Sequence, residues 1–188
     1  MNEAAKTIAA LIERLGQVER SLLTHRAFGC GLSATQGQIL LHLADRPVGV
    51  MALAEILALA PGTVSEAVSA LVRKGLLARQ RHPLDARRHV LVPTEAGRRM
   101  AAALRDYDQP LIAALVQTGL GEETGRVLME VLARLIEGGV IADTGMCLTC
   151  RHLRRREGGF HCALIDQPLA LATLRLACPD HEEKTEYA

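Results

Sequence analysis

The sequence predicts a mainly α-helical fold with a small two-stranded β-wing and a short metal-stapled segment at the C-terminal end. Three observations carry this reading. Apolar residues recur at helical spacing through most of the chain as far as Gly138. One interruption, from Leu76 to Val92, has the character of two short strands. Four of the five cysteines, Cys147, Cys150, Cys162 and Cys178, crowd into the last quarter. A length of 188 residues suits one domain of roughly 150 residues with a small appendage. The expected division is 1–140 for the helical domain and 141–188 for the cysteine segment.

The first helix spans residues 3–28, with Ile8, Leu11, Ile12, Leu15, Leu22 and Leu23 on its apolar side. Phe28-Gly29-Cys30-Gly31 breaks it. Ser33 and Gln36 form a capping box that opens a second helix through Ile39, Leu40 and Leu43. Asp45-Arg46-Pro47 ends that helix, and a short third helix covers 51–59. Pro61 and Gly62 punctuate, and a fourth helix then runs from Thr63 to Lys74 and stops at Gly75. Its apolar stripe is Val64, Val68, Leu71 and Val72. Leu76–Arg81 and His89–Val92 are the two strands, joined by the charged link 82–88. Thr94 caps a helix expected to run unbroken over 95–117. A last helix covers 122–138, with Val127, Leu128, Val131, Leu132, Leu135 and Ile136 as its apolar face.

Charge narrows the function class. The net charge is +1, yet residues 73–99 carry eight basic and two acidic residues. That local surplus points to a polyanionic partner. Aromatic residues make up 2% of the chain, which argues against a stacking platform for single strands. The most apolar stretch, Val48–Gly62, is interrupted by Glu55, so no membrane span is expected. Met1-Asn2-Glu3 lacks the layout of a secretion signal, and a cytoplasmic location is expected.

Several stretches resemble the winged helix-turn-helix of MarR-type transcriptional regulators. They are Leu32-Ser33-Ala34-Thr35-Gln36, the segment PGTVSEAVSALVRKGLLAR, the wing DARR and the exit PTEAG. The long flanking helices extend the resemblance over about residues 3–140. It implies a homodimer, built from the terminal helices, that reads a pseudo-palindrome in double-stranded DNA. On this reading the 63–74 helix enters a major groove, where Thr63, Ser65, Glu66 and Ser69 reach base edges beside Arg73. Lys74, Arg79 and Arg81 are candidate phosphate contacts. By similarity, Asp85 braces an arginine of the wing tip, with Arg87 in the minor groove and Arg88 on phosphate. Pro93 departs from the family pattern, and its place before Thr94 predicts an early end to the second strand.

From Gly145 onward the chain leaves that pattern. Cys147-x-x-Cys150, His161-Cys162 and Cys178-x-x-His181 place six potential ligands within 35 residues that have little core of their own. Such a segment folds easily around an ion and poorly without one. Zinc held by Cys147, Cys150, Cys162 and Cys178 is the default, with His161 or His181 able to replace one thiolate. An iron–sulfur cluster on the same four cysteines is the rival. A redox-switched disulfide is the metal-free alternative. Cys30 is a separate candidate redox thiol, weakened by the lack of an electropositive neighbourhood beyond His25 and Arg26.

The leading reading is therefore a DNA-binding regulator of the repressor kind. Its control would come from a small-molecule effector in a cleft between dimer helices and winged lobe, or from the redox or metal state of the cysteines. A thiol or metal enzyme centred on Cys147 and Cys150 is the competing class. Against it, the pair lies outside any βαβ context, and no zinc-hydrolase, nucleophile-elbow or phosphate-loop motif appears. A zinc-stapled interaction module is a third reading, opposed by the intact basic wing.

Overall fold

The computed structural model describes residues 2–82, 85–156 and 159–184; for His82 and residues 85–88 it describes the backbone alone. The chain divides into two compact units, Met1–Gln117 and Thr118–Ala188.

The first unit contains α1 (Glu3–Gly29), α2 (Ala34–Asp45), α3 (Val50–Ile56), α4 (Pro61–Arg73), β1 (Leu77–His82), β2 (Asp85–Pro93), α5 (Glu95–Leu104) and α6 (Gln109–Gln117). Local chemistry sets most boundaries. The Ser33 hydroxyl accepts from the Gln36 amide at 3.2 Å while the Gln36 side chain accepts from the Ser33 amide, which completes the capping box. Thr94 caps α5 through the Gly97 amide and donates to the Gly75 carbonyl at 2.7 Å, tying the wing exit to the end of α4. Gly97 is required here: an added Cβ would lie 2.0 Å from the Leu76 carbonyl oxygen.

β1 and β2 pair antiparallel from Leu77 opposite Pro93 to Arg81 opposite His89. Pro93 thus forms the last pair of the ladder, opposite Leu77, so β2 runs up to the proline and does not stop short of it as expected. The Leu91 amide also donates to the Val48 carbonyl at 2.9 Å, which hangs the wing on the residues before α3. The core beneath these elements joins Ile39, Leu40, Leu43, Leu53, Val64, Val68, Leu71, Leu91 and Leu104, all essentially inaccessible to solvent. Each large side chain so buried contributes roughly 1.5–3 kcal/mol.

The expected single helix over 95–117 is two. Arg105 leaves helical geometry, Asp106 adopts φ +65°, and α6 starts afresh at Gln109. The cause is Pro110, which cannot donate to the carbonyl of residue 106 and would collide with it in an unbroken helix. The freed turn is reused, because the Asp108 carbonyl accepts from Leu111 and Ile112 at 2.9 and 3.0 Å. Tyr107 in this break donates its hydroxyl to Glu19 of α1.

The second unit contains α7 (Glu122–Glu137), a single 3-10 turn at Cys147–Thr149, then β3 (Leu153–Arg156), β4 (Gly159–Cys162), β5 (Gln167–Leu169) and another 3-10 turn at Leu171–Thr173. The three strands form an antiparallel sheet in chain order. Met129 and Ala133 of α7 pack with Met146, Leu148 and Phe160, ringed by Leu132, Ile136, Leu153, Leu169, Leu171 and Leu174. The cysteine segment thus shares its core with α7, and the compact unit that holds it begins at Thr118. Among the described residues, no single helix is long and apolar enough to cross a membrane.

Candidate nucleic-acid interface and cysteine pocket

α3 and α4 are joined by Leu57–Ala60 and bent by 118°, the geometry of a helix-turn-helix. Ala58 takes φ 49° to make the turn. Pro61 opens α4, where its missing N–H costs nothing. Val64, Val68 and Leu71 bury one face of α4 completely, which pins the helix and fixes what it presents. Thr63, Ser65, Glu66 and Arg73 are exposed, and Ser69 is half-buried. Small hydroxyl side chains at the start of such a helix permit close approach to base edges.

Arg79 and Arg81 are exposed on β1. Lys74 is exposed too, but its ammonium donates to the Gly31 carbonyl at 2.8 Å and the Gln36 side chain at 2.9 Å. It braces the end of α4 against the start of α2, a role invisible in its charge. The expected brace of Asp85 with Arg87 and Arg88 falls on side chains outside the described residues. Cys30 caps the end of α1, with its amide donating to the Ala27 carbonyl at 2.9 Å, and packs half-buried against the core.

The first unit also holds an open cleft of about 500 Å³ between α2 and the α5–α6 break. His42, Asp45, Arg105, Tyr107 and Ile112 line it. Burial and the nearby Arg46 push the His42 imidazole below its ordinary range, against the opposing pull of Asp45. The buried His42 Nε2 has no hydrogen-bond partner. Burial, reinforced by the Glu19 carboxylate, drives the Tyr107 hydroxyl well above the usual phenol range.

In the second unit, Cys147, Cys150, Cys162 and Cys178 line one cavity of about 120 Å³. They arrive on three pieces of backbone. Cys147 opens the 3-10 turn and Cys150 follows it, with the Cys150 amide donating to the Cys147 carbonyl at 3.1 Å. Cys162 closes β4 opposite Leu153. Cys178 is drawn in by its amide bond to the Gly145 carbonyl, 2.7 Å. Gly145 adopts φ +101°, and a Cβ there would meet the Cys178 carbonyl at 2.8 Å. The Cys147 and Arg175 backbones pair, and the Arg175 amide donates to Cys147 Sγ at 3.2 Å. Burial pushes the Cys147 thiol up, opposed by that amide and reinforced by the other three sulfurs.

The two alternate histidines stand elsewhere. His181 Nε2 lies 3.1 Å from Thr149 Oγ1 and 3.4 Å from the Asp143 carboxylate. Asp143 in turn accepts from the amides of Gly145 and Met146. Burial raises the Asp143 carboxyl, but these hydrogen bonds and His181 outweigh it and hold it below the usual range. His161 Nε2 lies 3.2 Å from Asp166 and lines a different cavity. The polar groups that join the cysteines are instead His152 and Asp180. Sequence reading missed both, although each follows a cysteine by two positions. Among the described residues, no three His, Cys, Asp or Glu close on a single point as ligands of one ion would.

Residues 31–88 match the family model described as MarR family. The winged lobe has the MarR fold. Similar solved structures include the transcription regulator MarR from Oenococcus oeni PSU-1, 20% identical with a TM-score of 0.59, covering 69% of this chain and 98% of that one. BldR from Sulfolobus solfataricus is 22% identical with a TM-score of 0.56, covering 71% and 99%. A MarR family regulator from Listeria monocytogenes, solved with a 26-mer DNA, is 19% identical with a TM-score of 0.58, covering 69% and 87%. No curated protein matches the sequence. The matches take in nearly all of the first two of these proteins and leave close to a third of this chain uncovered.

Proposed function

We propose that this protein is a cytoplasmic transcriptional regulator that binds double-stranded DNA as a homodimer and acts as a repressor. The observation that carries the reading is α4. Its apolar face is locked into the core while Thr63, Ser65, Glu66 and Arg73 face solvent beside the exposed Arg79 and Arg81. The Listeria relative was solved on DNA, and its likeness in fold supports the same partner here.

Homodimer formation is supported by the apolar residues that the helices leave in water. Ile8, Leu11, Ile12 and Leu15 of α1 are each 44–58% exposed. A second copy would cover them, and a two-fold pair would present two recognition helices to half-sites about 34 Å apart. The cleft beside His42 and Tyr107 falls within the 300–1,000 Å³ typical of small-molecule sites, and an effector there would act by population shift. It would favour a dimer whose α4 helices no longer match the half-site spacing.

The test is binding of the full chain to its own promoter fragment over a range of salt. The expected result is a falling log K with log salt, and replacing both Arg79 and Arg81 by Ala should reduce that slope by about 4, two contacts being lost from each protomer. Salt-independent or absent binding would refute the reading. A species of 20.3 kDa persisting at micromolar concentration would refute the dimer.

A further inference from the structure

We propose that Cys147, Cys150, Cys162 and Cys178 together hold an iron–sulfur cluster. The four sulfurs line one cavity, and its remaining wall is largely apolar, from Leu153, Leu164, Ile165 and Leu169. Four cysteine thiolates are the donor set that an iron–sulfur cluster takes, and inorganic sulfide would bridge the irons between them.

The surroundings suit that occupant. The Arg175 amide already points at Cys147 Sγ at 3.2 Å, and amide hydrogen bonds to ligating sulfur stabilise and tune clusters. The loop that delivers Cys178 is placed by the Gly145 contact and the Asp143–His181–Thr149 network. Both imidazole alternates are occupied in protein contacts, and the four sulfurs share the cavity with His152 and Asp180.

The proposal is read on the full chain without DNA, so its outcome is independent of the regulatory reading. The protein is purified anaerobically, and iron, acid-labile sulfide and zinc are measured per chain alongside the visible spectrum. Expected are a broad visible band bleached by dithionite and iron matching sulfide, about two or four of each. Cys162→Ser should lose the band, and Cys30→Ser, which lies outside the pocket, should keep it. Should Cys162→Ser fail to fold, the wild-type metal and sulfide content decides alone. One zinc per chain without sulfide overturns the proposal. So does a colourless, metal-free protein after anaerobic reconstitution with ferrous iron and sulfide.

Discussion

The winged lobe and the C-terminal unit solve the same folding problem with different means. Among the described residues, the lobe's cluster joins fifteen buried apolar residues, drawn from all of its helices but α6 and from both strands. The cluster of the C-terminal unit joins five. Its loops are held instead by polar ties: Asp143 to the amides of Gly145 and Met146, His181 to Thr149, Arg151 to Glu182 at 2.8 Å, and Lys184 to the Leu148 carbonyl at 2.7 Å. Surface ion pairs among these contribute little, about 0–1 kcal/mol each. The comparison teaches that the lobe can stand on apolar burial, whereas the smaller unit would gain most from the proposed centre, which would crosslink its separate backbone pieces.

That contrast can be broken from either side. Removing metal with a chelator under anaerobic conditions should have the largest effect. Hydrogen exchange should rise sharply over 143–184 and stay unchanged over 34–104; equal protection in both states would mean that the cysteine unit needs no staple. Next in size, Leu40→Ala should cost about 2–5 kcal/mol in the lobe, read as a lower midpoint for the lobe's transition, while the visible band persists. Gly145→Ala forces a side chain into a left-handed position 2.8 Å from the Cys178 carbonyl. It should lower metal content with little effect on the lobe, and a fully loaded variant would remove Gly145 from the account.

The smallest effect concerns pH. Burial holds the His42 imidazole below its ordinary value of 6.5 in the folded lobe. Between the folded and unfolded values the unfolded chain binds more protons, so stability rises with pH there. The contribution is present above pH 6.5 and is lost as acid titrates the unfolded imidazole. Denaturation followed from pH 7.5 to about 5.5 should show the lobe weakening, and His42→Gln should flatten that dependence.

Much of the lobe was legible because its signals are local. The Ser33–Gln36 capping box, the stop at Gly75 and the Thr94 cap each act within a few residues of themselves. The break at Arg105 was missed, although Pro110 announced it; a strong helical period on both sides masked a single steric conflict. Pro93 misled in the opposite direction, because a residue that cannot donate still fits a ladder position where its N–H is not called upon.

The sequence by itself determined the order of helices, the placement of the wing, the apolar face of α4 and the crowding of four cysteines into the last quarter. These follow from periodicity, capping and spacing, which operate over one or two turns of chain. Tertiary structure decided the rest. It assigned α7 to the cysteine unit, tied the exposed Lys74 to Gly31 and Gln36 at the start of α2, tied His181 to Asp143 and Thr149, and set His152 and Asp180 beside the sulfurs. Those outcomes depend on partners that are mostly ten to forty residues apart, where the competing contacts differ by little and only packing in three dimensions selects among them.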